Sequence, residues 1–548
     1  MDFPKKMRWG NLEATYARPI RWMVSLFGDH VVPFSYANIT ACRESFGHRQ
    51  LRPSAFALIK AQDYVNILRE HKVMVDIEER KKQIICQLDE LEKQLDGKVI
   101  SRDQVIPQVL NLVEWPQVTS ATFDKSFLRV PKEVLISEMV EHQKYFPVAG
   151  EDGNLVNLFV ITSNTNPTDQ IREGNQRVLS ARLSDGVFLY EQGLKQPLEK
   201  YNEKLKAVVF QKELGSVYDK VKRITAHAEY LQKVLKIGDA VKVKRAGELC
   251  KADLASEMVY EFPELQGTIG RYYALASGEA SEVAQAIDEQ WMPRGEHAPL
   301  PESQEGIVLS LADKIDNLLG CYCAGLKPTS SSDPYALRRQ TLGVIKMLIK
   351  GKYNLNLMQV IDHAFDQFPK ELLNSKAELM QEVETFVTNR VKTVFLDYGV
   401  SKDEIEAALS GGFTDIYDAY CKVQSLHQFR QSNNKFPLLF EVYKRAKGQI
   451  NQAGHNGIHF SESLLRENAE IELNQILVKN EKAFEKALSD QNYDKAYEMI
   501  AQIQPPLAKL FDEVKILCGD KEIRDNRVAL LHKVFGLFGK LLDFSKIQ

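Results

Sequence analysis

Apolar positions change their rhythm along this chain. Through residues 1–205 they come in short runs bounded by turn formers; beyond about 205 they recur at three- and four-residue spacing. Residues 20–27 carry Trp22, Val24 and Phe27 between Pro19 and Gly28-Asp29, which predicts a strand. Residues 31–36 predict a second, with a hairpin at Gly28-Asp29. Residues 55–95 take helical periodicity with a charged face at 78–82, and Leu155–Ser163 returns to strand character after the turn Glu151-Asp-Gly-Asn154. Helices are predicted within 217–260 and over 281–290, 304–325 and 335–350, separated by breakers such as Gly238-Asp239, Pro293-Arg-Gly295 and the 328–334 loop. Helical patterning continues through 355–430 and 436–548, with breaks at Pro369, Gly411-Gly412 and Pro505-Pro506. The fold class expected is α+β and multidomain. Its parts are a mixed α/β region at 1–205, a predominantly helical domain at 206–350, a helical body or linker at 351–435 and a helical module at 436–548.

Composition narrows the function classes. The 548 residues are 44% hydrophobic and 26% charged, as in a globular chain with several cores, and 71 Lys and Arg face 74 Asp and Glu. With a net charge of -3, the chain is no polycation, so any nucleic-acid binding must come from local patches and geometry. The seven cysteines are scattered with no CxxC pair, which argues against a disulfide framework or zinc ribbon and for a reducing compartment. Cys321 and Cys323, one residue apart, could form a metal or redox pair, but with no partner ligands at hand they are expected as small core residues at a Gly-bounded helix end. No apolar run reaches 18 residues, so no membrane partner is expected, and MDFPKKMRWG lacks a secretory apolar core. That segment leads straight into strand-like sequence, as though beginning inside a domain.

Several motifs bear candidate chemistry. In Phe46-Gly-His-Arg49, Gly47 permits a turn and Arg49 with Arg52 offers planar forks to a phosphate, although a solvated loop explains the same residues. Glu114, in Leu112-Val-Glu-Trp-Pro116, has no partner carboxylate nearby and is expected in a packed loop. His142, Lys144 and Tyr145 could stack on and neutralise single-stranded RNA, or simply end an amphipathic helix. A helix start at Gly174-Asn175 could present amides to an anion, with Arg177 and Arg182 beyond it, or Asn175 could be an ordinary cap.

The order His227, Lys251-Ala-Asp253, Asp313 and Asp316 resembles the HD phosphohydrolase fold, whose metal site needs His, then His-Asp, then a distant Asp. Here Ala252 stands in the second His position and Lys251 brings an ammonium beside it, so an HD scaffold without its metal site is expected. Asp333 and Pro334 are placed to start a helix. Arg338 and Arg339 are expected to be buried and tied to Asp313 or Asp316, in preference to contacting RNA. The 436–548 module has equal numbers of basic and acidic residues, which argues against nonspecific nucleic-acid binding and permits recognition of a few unstacked bases.

Taken in order, RPIRWMVSLFG, SFGHR, LVEWP, FLRVPKEVLISEMVEHQKYFPV, GNQRVLSARLSD, KADLASEMVYEFPELQGTIGRYYA, LADKIDNL and DPYALRR resemble the beta subunit of bacterial-type tetrameric glycyl-tRNA synthetases from about residue 5 to the C-terminus. The resemblance leads to the expectation of a further stretch ahead of the RMRWG-like sequence, near which the given sequence begins. The resemblance implies a tRNA-binding chain in an alpha2beta2 heterotetramer that attaches glycine to tRNA(Gly) in the cytoplasm. It implies that ATP and Mg2+ are used on the alpha subunit, with no cofactor, metal or catalytic residue expected on this chain. It likens 1–205 to RNA-handling domains of the phenylalanyl-tRNA synthetase beta chain, and 436–548 to the arginyl-tRNA synthetase anticodon-binding domain. The candidate tRNA contacts are Arg49, Lys144, Arg177 and Arg182 on the acceptor side, and Tyr443, Lys444, Arg445, Arg524 and Arg527 on the anticodon side. The competing reading is a metal-dependent HD-type phosphohydrolase acting on nucleotides or RNA ends.

Overall fold

The architecture comes from a computed structural model, which describes residues 3–373, 375–432, 435–454 and 459–547. The chain gathers into two units. One comprises Met1–Gln196 with Ser256–Tyr272; the other comprises Pro197–Ala255 with Tyr273–Gln548.

The first unit opens with two-stranded antiparallel ribbons. Leu26–Phe27 pairs with His30–Val31 across Gly28-Asp29, the predicted hairpin, and Gly28 adopts the left-handed backbone (φ 61°) such a turn requires. The strand expected over 20–27 is shorter, since only Leu26–Phe27 pairs in the ribbon. The strand expected over 31–36 is divided between His30–Val31 and Ser35–Tyr36, with Pro33 between them. The core sheet of this unit is antiparallel, with strand order Gln117–Thr122, Leu155–Ser163, Phe146–Ala149, Lys98–Val99. Leu155–Ser163 matches its predicted bounds. Ile84 and Leu88 of the Ile77–Glu92 helix join Val105, Ile106 and Val109 of the Arg102–Val109 helix in one apolar core with Phe146, Val148 and Val160 of the sheet. The Asp169–Gly193 helix buries Leu179, Leu183, Gly186 and Val187, a stripe at helical spacing.

Ser256–Tyr272 is fastened to this unit by polar contacts. Tyr272 Oη donates to Glu133 at 2.9 Å, Arg271 pairs with the same carboxylate at 3.4 Å, and Ser137 hydrogen-bonds Glu264.

The second unit is nearly all helical. After the short helix Tyr201–Leu205, the long helix Val217–Leu235 begins with a capping box in which Ser216 and Asp219 satisfy each other's amides. Helices Ala240–Leu249, Ser281–Glu289, Gln304–Cys323 and Leu337–Lys350 follow, close to the predicted segments. Ala240–Leu249 approaches Val217–Leu235 at Gly247, where an added Cβ would stand 2.9 Å from Thr225 Oγ1, so glycine sets that spacing. Helices Leu357–Phe365, Lys376–Asp397, Lys402–Ala408 and Ile416–Ser432 lead to the C-terminal helices Lys435–Ala453, Asn468–Ser489, Tyr493–Ala501, Gln504–Glu513 and Lys521–Gly539. Cys321 is buried near the end of Gln304–Cys323, and burial pushes its thiol up to about 11.

Candidate functional site

The position where an HD scaffold would hold its metal is filled by cations. The Val217–Leu235 helix presents Lys220, Arg223 and His227 from its buried face, and Gln304–Cys323 presents Asp313 and Asp316. Lys220 Nζ donates to Asp316 at 2.9 Å and to Asn317 Oδ1 at 2.6 Å. Arg223 Nε reaches the other oxygen of Asp316 at 2.7 Å, and its Nη1 donates to the Leu214 carbonyl. Lys251 Nζ lies 3.1 Å from Asp313 Oδ2 and 3.7 Å from the Trp291 ring centroid. His227 Nε2 stands 3.6 Å from Asp316, too far for a hydrogen bond.

These residues are almost wholly excluded from solvent. Burial disfavours the Lys220 ammonium, but Asp316 and Asp313 outweigh it and raise its pKa. Burial likewise works against Asp316, yet the charges of Lys220 and Arg223 hold its carboxyl below the usual range. A divalent cation needs several oxygen or nitrogen donors free of competing positive charge. Here two lysines and an arginine already occupy the two carboxylates, and Ala252 supplies no donor. Among the described residues, no group of three or more His, Cys, Asp or Glu is placed to hold a metal ion. The residues do not fit the metal centre that the hydrolase reading needs. The arrangement ties helices together through buried ion pairs. Lys220 and Arg223 were not singled out in the sequence, although two basic residues three apart on an otherwise apolar helix face were visible there.

In the first unit the candidates are separated by their surroundings. Gly47 lies so close to the Arg52 carbonyl that a Cβ would meet it at 2.3 Å. His48 is buried, and its Nδ1 accepts from the Gln50 and Leu51 amides at 3.3 and 3.2 Å. This folded turn leaves Arg49 and Arg52 exposed. Lys144 adopts the left-handed backbone (φ 60°) and returns its Nζ to the Glu141 carbonyl. Tyr145 is buried, stacks 5.1 Å from Phe159 and donates to Asn175 Oδ1 at 2.5 Å, so it offers no face to a base. His142 is exposed, with its ring edge-on to Phe262. Glu114 is exposed, in a loop anchored by Asn164, whose Oδ1 accepts from the Glu114 and Trp115 amides.

The helix expected to start at Gly174-Asn175 starts at Asp169, with Thr168 Oγ1 accepting the Ile171 amide at 3.3 Å. Gly174 and Asn175 are thus interior to it, and Asn175 donates back to the Ile171 carbonyl instead of capping. Neither alternative for that start holds: no helix N-terminus stands at those positions to present amides to an anion, and Asn175 is not a cap. Arg177 and Arg182 both project from this helix into solvent. Beneath Arg182, burial pushes the Glu138 carboxyl up to about 7; Arg182 opposes the shift, while Asp185, Glu261 and Glu264 add to it.

The C-terminal candidates divide by helix face. Lys444 is exposed, with its Nζ 4.1 Å from the Phe440 ring centroid. Arg445 is exposed, donates to the Phe511 carbonyl at 3.0 Å and pairs with Asp512 at 3.3 Å. Arg524 is half-buried beside Asp525. Tyr443 and Arg527 belong to the interior and correct the expectation that they face RNA. Tyr443 packs between Phe535 at 4.7 Å and Phe544 at 4.8 Å, and burial pushes its hydroxyl up to about 12. Arg527 pairs with buried Glu470 and donates to the Lys515 carbonyl at 2.9 Å.

Arg338 and Arg339 are also not where they were expected. The helix begins at Leu337; Asp333 accepts the Leu337 and Arg338 amides at 2.9 and 3.0 Å. Arg338 is half-buried and donates to the Thr329 carbonyl, while Arg339 is exposed. Neither reaches Asp313 or Asp316, because those carboxylates are taken by Lys220, Arg223 and Lys251.

Residues 1–410 match the family described as glycyl-tRNA synthetase beta subunit, and residues 439–548 match the DALR anticodon binding domain. The whole chain is 41% identical to a glycine–tRNA ligase beta subunit of Desulforamulus reducens, covering 79% of that protein. It is 38% identical to one of Syntrophomonas wolfei (80% covered) and 36% identical to one of Clostridioides difficile (79% covered), again over its whole length. The chain belongs to the glycyl-tRNA synthetase beta subunit family.

Proposed function

We infer that this chain is the tRNA-binding subunit of a glycine–tRNA ligase, working with a separate alpha subunit. The observation that carries the reading is a helical module at 439–548 of the anticodon-binding class, joined to a body of the beta-subunit family. The module's aromatic residues pack its core while Lys444 and Arg445 stay at the surface, the division a shape-reading domain needs. We assign the adenylate chemistry, with its ATP and Mg2+, to the alpha subunit, and the assembly to an alpha2beta2 heterotetramer in the cytoplasm. This chain's contribution is positional. A tRNA held at several points presents its acceptor end to the partner's active site, and misplacement by about an ångström costs on the order of 100-fold in rate. No helix among the described residues is long and apolar enough to cross a membrane. The charge-filled interior at Asp313 and Asp316 gives the hydrolase alternative no support.

Filter binding of tRNA(Gly) and of unfractionated tRNA to the full chain across a salt series tests this reading. Salt-sensitive binding with preference for tRNA(Gly) is expected; equal retention of both pools would contradict it.

A further inference from the structure

The second unit contains a cationic cleft that none of the expected contacts includes. One face of Leu337–Lys350 forms its wall through Arg339, Leu342, Gly343 and Lys346, residues three, four and seven apart. Pro293, Gly295 and Glu296 close the other side, and the cleft encloses about 190 Å³. Gly343 sets its width: an added Cβ would stand 3.1 Å from the Pro293 ring and 3.5 Å from Lys314 Cε. Arg338 stands at the rim.

The charge in the cleft is unbalanced. Arg338, Arg339 and Lys346 face the single carboxylate of Glu296. Lys346 Nζ donates to the Glu296 backbone carbonyl at 3.2 Å, not to its carboxylate. Among the described residues, Arg339 is in no ion pair. Arg294, next to the cleft, is paired with Asp288 at 3.1 Å. Under the floor, Lys314 donates to the Gln290 carbonyl and Ser310. Burial lowers its pKa to about 7, with Lys251, Arg294 and Arg339 deepening the shift against Asp313. The local field therefore favours an anion.

We propose that the cleft formed by Arg339, Lys346 and the Pro293–Glu296 loop is a binding site for a backbone phosphate of the tRNA. Its size argues for a phosphodiester over a mononucleotide, because pockets that enclose small molecules run from about 300 Å³ upward. The planar fork of Arg339 suits two phosphate oxygens, and Lys346, two turns on, supplies a point charge. Such a contact fixes register without reading sequence. The inference rests on the tRNA-binding reading above and adds a grip within the 206–350 helical region, distinct from the C-terminal module.

The test measures binding of tRNA(Gly) to the full chain against salt for the wild type, Arg339→Gln, Lys346→Gln, the double variant and Arg339→Lys, with thermal melting as a control for folding. Each Gln variant is expected to lower the salt slope by about one and to weaken binding roughly five- to tenfold at about 0.1 M salt, with unchanged melting. Arg339→Lys should restore the slope. If the wild type prefers tRNA(Gly) but the variants keep its affinity and slope, the cleft proposal fails and the tRNA-binding reading stands. If the wild type shows no preference, the reading itself fails and takes the proposal with it. If millimolar ATP or inorganic phosphate protects the wild-type cleft from arginine modification while tRNA(Gly) does not, the site belongs to a small anion and the proposal is overturned.

Discussion

Lys251 Nζ lies 3.1 Å from Asp313 Oδ2, with its charge against the face of Trp291. The residue immediately before Ala252-Asp253 thus places an ammonium on a carboxylate that the metal reading would need as a donor. Together with Lys220 and Arg223 on Asp316, it turns a site that would bind a cation into one that supplies its own.

Breaking that network should cost far more than a surface ion pair. Asp316→Asn leaves Lys220 and Arg223 buried with half their compensating charge, for an expected loss of about 3–5 kcal/mol. Because Asp316 and Asp313 both have folded-state pKa values below the usual carboxylate range, their contribution is full above about pH 4. It is lost as pH falls further, through the folded-state values. Denaturant melts of wild type and Asp316→Asn between pH 3 and 7 should therefore converge toward the acid end. A difference that stays constant with pH would contradict the ion-pair account.

Glu138 gives the opposite sign in the first unit. Its carboxyl is raised to about 7 when folded, chiefly by burial, against a usual value near 4.5. The folded state holds the extra proton, so the stability it contributes is present at low pH and fades as pH rises from about 4.5 to 7. Glu138→Gln should accordingly gain stability relative to wild type across that window and hold the gain above it. Removing Arg182, the cation that opposes the shift, should move the Glu138 midpoint higher, which NMR titration of the labelled carboxyl would register.

Tyr443 and Lys444 are neighbours in sequence with different expected phenotypes. Tyr443→Ala should cost about 3–5 kcal/mol of stability through the cavity left between Phe535 and Phe544. Lys444→Ala should leave melting within about 0.5 kcal/mol of wild type. If Lys444 touches phosphate, that change lowers the salt slope of tRNA binding by about one. Equal thermal stability of the two variants would show that Tyr443 does not pack as described.

Arg177 and Arg182 stand on one helix with no buried partner in hydrogen-bonding range among the described residues, unlike Arg527. Substituting both with Gln should reduce the salt dependence of tRNA(Gly) binding by about two with little change in the melt. Retention of the full slope would remove the acceptor-side assignment from this helix.

These contrasts show what could be read along the chain. Local signals carried the strand Leu155–Ser163, the hairpin at Gly28-Asp29 and most of the helices between 217 and 350, because periodicity and turn formers are properties of a few adjacent residues. The displacement of Ala252-Asp253 from metal chemistry was likewise legible in residue type. Helix starts and faces were harder. Gly174-Asn175 looks like a helix opening, but Thr168 caps the helix earlier and the chain continues through the glycine. Tyr443 and Lys444 differ by one residue, a rotation of about 100° on a helix, and only packing decides which points inward. Arg527 is committed to Glu470, 57 residues away, a pairing no local pattern contains. Arg338 and Arg339 were expected inside because Asp313 and Asp316 were counted as available; their partners came from Lys220, Arg223 and Lys251 instead.

The central claim is that this chain positions tRNA while a companion chain forms the adenylate. Reconstitution tests it most directly: glycine transfer to tRNA(Gly) is measured for this chain alone, for an alpha subunit alone and for the two mixed, with glycyl-adenylate formation followed in parallel. The account expects adenylate wherever the alpha subunit is present, and charged tRNA only when both chains are. Glycyl-adenylate made by this chain alone, or tRNA charging by the alpha subunit that this chain does not increase, would contradict it.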